Sequence, residues 1–168
     1  MVRKELVPYE RTYADFVKDA GRCEEFLRTW ITGVVAGLNE VDEETAKKIL
    51  RKSGEDCCKI FLEVYGYDLS GRDLDSLIEL LDSDPGGGCW KENDDAVIYE
   101  FKPERCECTL VEKKMVKLSP RLCSVCFTNW LAYMFGTVTK KKVKAELIES
   151  LATGASKCAF RIRLESPR

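Results

Sequence analysis

At Asp84-Pro85-Gly86-Gly87-Gly88 the character of this chain changes once, and sharply. Before that point apolar residues recur at three- and four-residue steps, the period of a helix packed by one face. After it they tend to alternate, the period of a strand. A proline followed by three glycines ends the helical part, because neither residue type suits the interior of an element. The reading that follows is an α+β protein with N-terminal helices over residues 1–83, then an antiparallel sheet packed on a long central helix over residues 84–168. At 168 residues the two parts together fit one compact domain.

In the helical part Phe16, Ala20, Cys23, Leu27, Trp30, Val34 and Leu38 predict one apolar helix face, interrupted at Gly21 and stopping near Asn39. A second helix is expected to begin near Asp42, where Glu43 and Glu44 suit the positive end of its dipole. Its predicted face is Ala46, Ile49, Leu50 and Ser53; Phe61, Leu62 and Tyr65 continue the period, and Gly66 caps the end. Ser70-Gly-Arg-Asp73 resembles a capping box opening a short helix on Leu74, Leu77, Ile78 and Leu81.

Beyond the break, Cys89 to Glu92, a polar turn at Asn93-Asp94-Asp95, and Ala96 to Phe101 read as a hairpin. Val97, Tyr99 and Phe101 share one face and Ala96 and Ile98 the other. The chain crosses Pro103 into Cys106-Glu-Cys108 and a strand-like Thr109-Leu-Val111. Ser119-Pro120 then starts a helix, with a hydroxyl at the N-cap and proline where its missing N–H costs nothing. That helix is expected to run to about Phe135, with Gly136 behind it, as the central buried helix. Two closing segments follow, Lys141 to Ser150 and Lys157 to Glu165; in the last, Phe160, Ile162 and Leu164 point inward.

The chain holds nine cysteines and no histidine. Cys106 and Cys108, then Cys123 and Cys126, form two close thiol pairs of the kind that clamp a soft metal. An extended C-x-C presents both side chains on one side, and Cys123 and Cys126 stand at i and i+3 on a helix. Four thiolates predict a structural Zn²⁺, with an iron–sulfur cluster as the alternative. Cys57, Cys58 or Cys158 are candidate replacements for one ligand; Cys158 is the strongest, because it opens the last strand. Two other readings stay open: buried reduced thiols, and a disulfide or redox relay.

Composition removes several function classes. With 27 basic and 29 acidic residues the chain has no electrostatic case for binding nucleic acid. No apolar run is long enough for a membrane span, and no secretory signal opens the chain, so a cytoplasmic protein is expected. Without histidine, Ser-His-Asp and Cys-His chemistry within the chain is excluded. The run Lys140-Lys-Lys-Val-Lys144 reads as a solvated face or protected strand edge. Trp90, Trp130, Tyr133 and Phe135 are candidates to line an apolar pocket, with Trp130, Tyr133 and Met134 as its expected ligand contacts.

Cys106-Glu-Cys108, the helix from Cys123 to Gly136, the strand near Val143 to Glu149, and Gly154-x-x-x-Cys158-x-Phe160 together resemble the 4-vinyl-reductase-like domain. They are similar also to L-2-amino-thiazoline-4-carboxylic acid hydrolase-like proteins, over roughly residues 84 to 165. The first resemblance implies a small-molecule-binding module with a cysteine-held metal and a hydrophobic cavity. The second implies ring opening of a small sulfur heterocycle. The expected partner is a small apolar or heterocyclic ligand, and the reading admits a homodimer. The leading expectation is a ligand-binding domain with structural zinc. A metal-dependent hydrolase and a redox or iron–sulfur protein are its alternatives.

Overall fold

The computed structural model describes residues 20–101, 106 and 108–165. In chain order these form α1 (Ala20–Gly37), α2 (Glu43–Val64), α3 (Leu74–Asp82), β1 (Gly87–Asn93), β2 (Ala96–Phe101), α4 (Thr109–Glu112), a π-helical turn (Leu122–Phe127) leading into α5 (Thr128–Thr139), β3 (Lys142–Glu149), a 3₁₀ turn (Leu151–Thr153) and β4 (Cys158–Glu165). The chain divides into two compact units, residues 1–40 with 108–117 and residues 41–107 with 118–168. The fold is α+β, as the change of period indicated.

In the first unit α1 includes Gly21, one residue from the first described position. Its expected core face is not a core face: Leu27, Trp30 and Val34 are exposed, and only Leu38, just past the helix, is buried. Phe16 and the side chains of Ala20 and Cys23 lie outside the described residues. Thr109-Leu-Val111, read as strand-like, is the short helix α4, and Lys114 turns the chain at a positive φ of 56°. The Thr32 hydroxyl donates to the Met115 carbonyl at 2.6 Å, which ties α1 to the loop after α4.

The second unit holds the sheet, in the order β1-β2-β4-β3, every pair antiparallel. Two hairpins thus meet along β2 and β4, and those two strands carry most of the buried sheet surface. Cys89, Tyr99, Phe160 and Leu147 lie in one row across the strands, on the face turned to the helices. The opposite face carries charged side chains beside Trp90 and Ile98. There Arg161 makes two hydrogen bonds to Glu92, at 2.9 and 2.8 Å, and Glu146 pairs with both Lys144 and Arg163. Lys142 pairs with Glu165, so the lysine run lies on an edge strand as expected.

Gly87 and Gly88 are not merely a break, as the sequence suggested; they pair with Phe101 and Glu100 inside β1. A β-carbon on Gly88 would stand 3.1 Å from the Trp90 ring, so the absent side chain leaves room for that indole.

The central helix and α3 cover the inner face, and α2 packs on the central helix and its π-turn. α2 opens on Asp42, whose carboxylate accepts the Thr45 N–H at 2.9 Å and the Thr45 hydroxyl at 2.6 Å. It buries Ala46, Leu50, Gly54 and Cys58, one residue every four; Ile49 and Ser53, expected on that face, are exposed. Gly66 ends it at a positive φ of 65°. The cap of α3 is Asp73 in a reciprocal box with Ser76, three residues later than the box read at Ser70, which bonds to Asp68 instead. The central helix starts where Ser119 and Pro120 placed it, with the Ser119 hydroxyl accepting the Arg121 N–H at 3.2 Å. It continues past Phe135 and Gly136 to Thr139, because Val138 extends the buried stripe by another turn, and it ends at a left-handed Lys140. Among the described residues no helix is long and apolar enough to cross a membrane.

Candidate functional site

The widened turn at the start of the central helix organises the second unit. From Leu122 to Phe127 the backbone takes π-helical form, holding more residues per turn than an α-helix. The Ser124 and Val125 carbonyls are met by side chains: the Thr128 hydroxyl donates to them at 2.8 and 3.1 Å, and the Asn129 amide donates to Val125 at 2.8 Å. Thr128 is almost fully buried, so these bonds satisfy a hydroxyl that would otherwise be stranded. On the other side α2 approaches closely enough that Gly54 faces the Cys126 carbonyl with no space for a side chain.

From this turn a chain of touching rings runs through the unit. Phe127 contacts Phe160 with ring centroids 4.9 Å apart, contacts Phe101 at 6.1 Å, and stacks on Trp130 at 5.3 Å. Trp130 meets Phe61 of α2 edge-on at 5.3 Å, and Phe61 touches Tyr65 and Tyr67 at 4.8 and 5.7 Å. Phe160 is 1% exposed and Tyr65 67%, so the series connects the sheet's core to the surface. Of the expected ligand contacts, Trp130 stands in this series, half-buried. Tyr133 carries the Lys59 ammonium 5.1 Å from its ring centroid, and Met134 is core. Trp90 is on the sheet's outer face and Phe135 is wholly buried, so neither lines the series. Phe61 and Phe127 were read only as helix-face residues and Tyr67 not at all, so none of the three was among the expected ligand contacts. Their approach depends on α2 meeting the central helix, which no local spacing encodes.

The cysteines are distributed over both units. Cys108 belongs to the first unit and is exposed at the N-cap of α4; Cys106, Cys123, Cys126 and Cys158 belong to the second. Cys123 and Cys126 are half-buried on the π-turn, where residues three apart fan out more than on an α-helix. Cys158 begins β4, buried, opposite Phe101. Among the described residues, no three Cys, Asp or Glu side chains form a group that could hold a metal ion. Cys58 and Cys89 are core thiols: burial pushes each up to about 12, so both are neutral at ordinary pH.

No family model matches the chain, and no curated protein matches it. Among solved structures it is similar to trafficking protein particle complex subunit 3 from Naegleria fowleri, a structure covalently bound to palmitic acid. The TM-score is 0.50 at 14% identity, over 85% of this chain and 95% of that one. An H-NOX mutant from T. Tengcongensis superposes with a TM-score of 0.43 at 19% identity, over 77% of this chain and 71% of that one. The first likeness is one of fold.

Proposed function

We propose that this chain is a small-molecule-binding domain whose ligand is apolar and lies against the Phe61–Trp130–Phe127 rings. The observation that carries the reading is the unbroken ring series from exposed Tyr65 and Tyr67 to buried Phe160. Stacked and edge-on rings offer large apolar area with few rotatable bonds, a favourable surface for an acyl chain or a flat heterocycle. The fold shared with a protein bound to palmitic acid supports an acyl chain first. The resemblance to 4-vinyl-reductase-like domains is part of the same proposal.

The test is titration of the purified protein with palmitate and, separately, with indole, read by tryptophan fluorescence and thermal shift. Saturable binding weakened about tenfold or more by Trp130→Ala supports the site, a loss within reach of one buried aromatic contact. Absence of binding by either probe overturns it, as does equal binding by Trp130→Ala.

A cysteine-held zinc is a second proposal, favoured by one contact: Phe127 against Phe160 brings the neighbourhoods of Cys126 and Cys158 to the same end of the sheet. About one zinc per chain after chelator-free purification supports it. Metal-free protein with unchanged thermal unfolding refutes it.

A further inference from the structure

Cys123 and Cys126 occupy a C-x-x-C spacing inside the one turn of the central helix that departs from α geometry. Both are half-buried, so each is within reach of a small oxidant. Around them stand the parts that hold this turn: Gly54 against the Cys126 carbonyl, Thr128 and Asn129 on the Ser124 and Val125 carbonyls, and Phe127 wedged among Phe101, Phe160 and Trp130. On an α-helix side chains three apart keep their β-carbons about 5–6 Å from one another, and on this wider turn they fan out further, whereas a disulfide needs about 3.8 Å. Joining the two sulfurs therefore requires this turn to tighten. Tightening displaces the Cys126 carbonyl, which Gly54 meets directly, and re-aims Phe127, the next residue.

We propose that Cys123 and Cys126 form a reversible redox pair whose disulfide re-forms the π-turn and thereby alters the ring series, so that oxidation controls ligand binding at that site. The control of binding rests on the proposed apolar site; the disulfide and the change of helix geometry do not. The oxidant is a low-molecular-weight disulfide such as glutathione disulfide. One cysteine thiolate attacks a sulfur of that molecule, whose S–S bond breaks, and the departing thiolate takes up the proton given up by the cysteine. The second cysteine sulfur attacks the mixed disulfide, the new S–S bond closes, and a second small thiol leaves with the second proton. Two cysteine thiols are oxidised by two electrons in all, and one glutathione disulfide is reduced to two thiols. Because closing the bond works against the packed turn, the disulfide is readily reduced, the property of a regulatory rather than a structural bridge.

The experiment equilibrates the full chain, stripped of metal, in glutathione redox buffers and then alkylates it. Peptide mass spectrometry locates the protected thiols, and near-ultraviolet circular dichroism follows the Trp130 signal, identified by its loss in Trp130→Phe. The expected result is loss of both alkylation sites on the Cys123–Cys126 peptide, reversed by reductant, with a change in the Trp130 signal. Cys126→Ser is expected to retain glutathione on Cys123 and to leave that signal unchanged. Cys123→Ala supplies the same comparison should Cys126→Ser not fold. If either thiol remains alkylatable under fully oxidising buffer, or pairs with another cysteine, the proposal is overturned. It is equally overturned by a disulfide with no change at Trp130, or by zinc that cannot be stripped from these two thiols. Palmitate affinity in the two redox states reads the control of binding: a tenfold difference or more supports it, and equal affinity refutes it. Failure of the reduced protein to bind any probe counts against the apolar site alone, since the disulfide and Trp130 readouts need no ligand.

Discussion

The backbone oxygen of Cys126 lies 2.0 Å from where a β-carbon on Gly54 would be. Glycine is required there by space, not by backbone angle: Gly54 is an ordinary helical residue in the buried stripe of α2. The contact lets two backbones meet directly at the π-turn, and it sets how closely Phe61 approaches Trp130.

Gly54→Ala is accordingly expected to destabilise the fold by about 3 kcal/mol, the upper end of the usual range for forcing atoms into a packed core, despite the better helix propensity of alanine. Gly33→Ala on α1, where a β-carbon meets nothing within 4 Å, is the control; it should be neutral or stabilise by up to about 1 kcal/mol. Urea midpoints of the two variants check both statements. Equal midpoints would contradict the contact.

Thr128→Val removes the hydroxyl that serves the Ser124 and Val125 carbonyls while nearly conserving shape. Leaving those partly buried acceptors with fewer donors should cost about 1 kcal/mol, and the tryptophan fluorescence should shift because Trp130 sits on the same turn. An unchanged midpoint would mean the π-turn holds without this hydroxyl.

Alkaline pH should loosen the protein. Cys58 and Cys89 are raised from 9.0 to about 12 by burial, so the folded state keeps both protons where the unfolded chain begins to lose them. Their contribution is full below about pH 9 and declines as pH rises towards 12. Denaturant midpoints measured from about pH 8 to about pH 10.5 should fall, and Cys89→Ala should make that fall shallower. Cys58 should resist alkylation until the protein unfolds.

At the acid end the caps matter. Hydrogen bonds from Thr45 hold the Asp42 carboxyl below its ordinary value, and those from Ser76 do the same for Asp73. Each contributes stability above the ordinary carboxylate pKa, and that stability is lost as pH falls through the lowered folded value. Asp42→Asn and Asp73→Asn keep a capping side chain without a titrating group, so their stability should depend less steeply on acid pH than that of the parent. Thermal melts across the acid range check this.

Much of the architecture was legible from local pattern. Asp42 before Glu43-Glu44, Ser119 before Pro120, and the alternation of Phe160, Ile162 and Leu164 each combine a propensity with a packing requirement that agree. Gly87 and Gly88 were harder: the Trp90 ring fills the space beside Gly88, a contact that no glycine run signals. Thr109-Leu-Val111 is too short for period to separate strand from helix.

What the sequence determined by itself is the succession of helices, hairpin, central helix and closing strands, the faces of β2 and β4, and the α+β class, because periodicity and caps act within a few residues. The tertiary structure alone decided the π-turn, the exposure of Leu27, Trp30 and Val34, and the ring series from Tyr65 to Phe160. The π-turn and the ring series depend on the approach of α2 to the central helix at Gly54, a contact between residues 72 positions apart (54 to 126). Distances of that kind are set by packing of whole elements, and no local spacing of side chains records them.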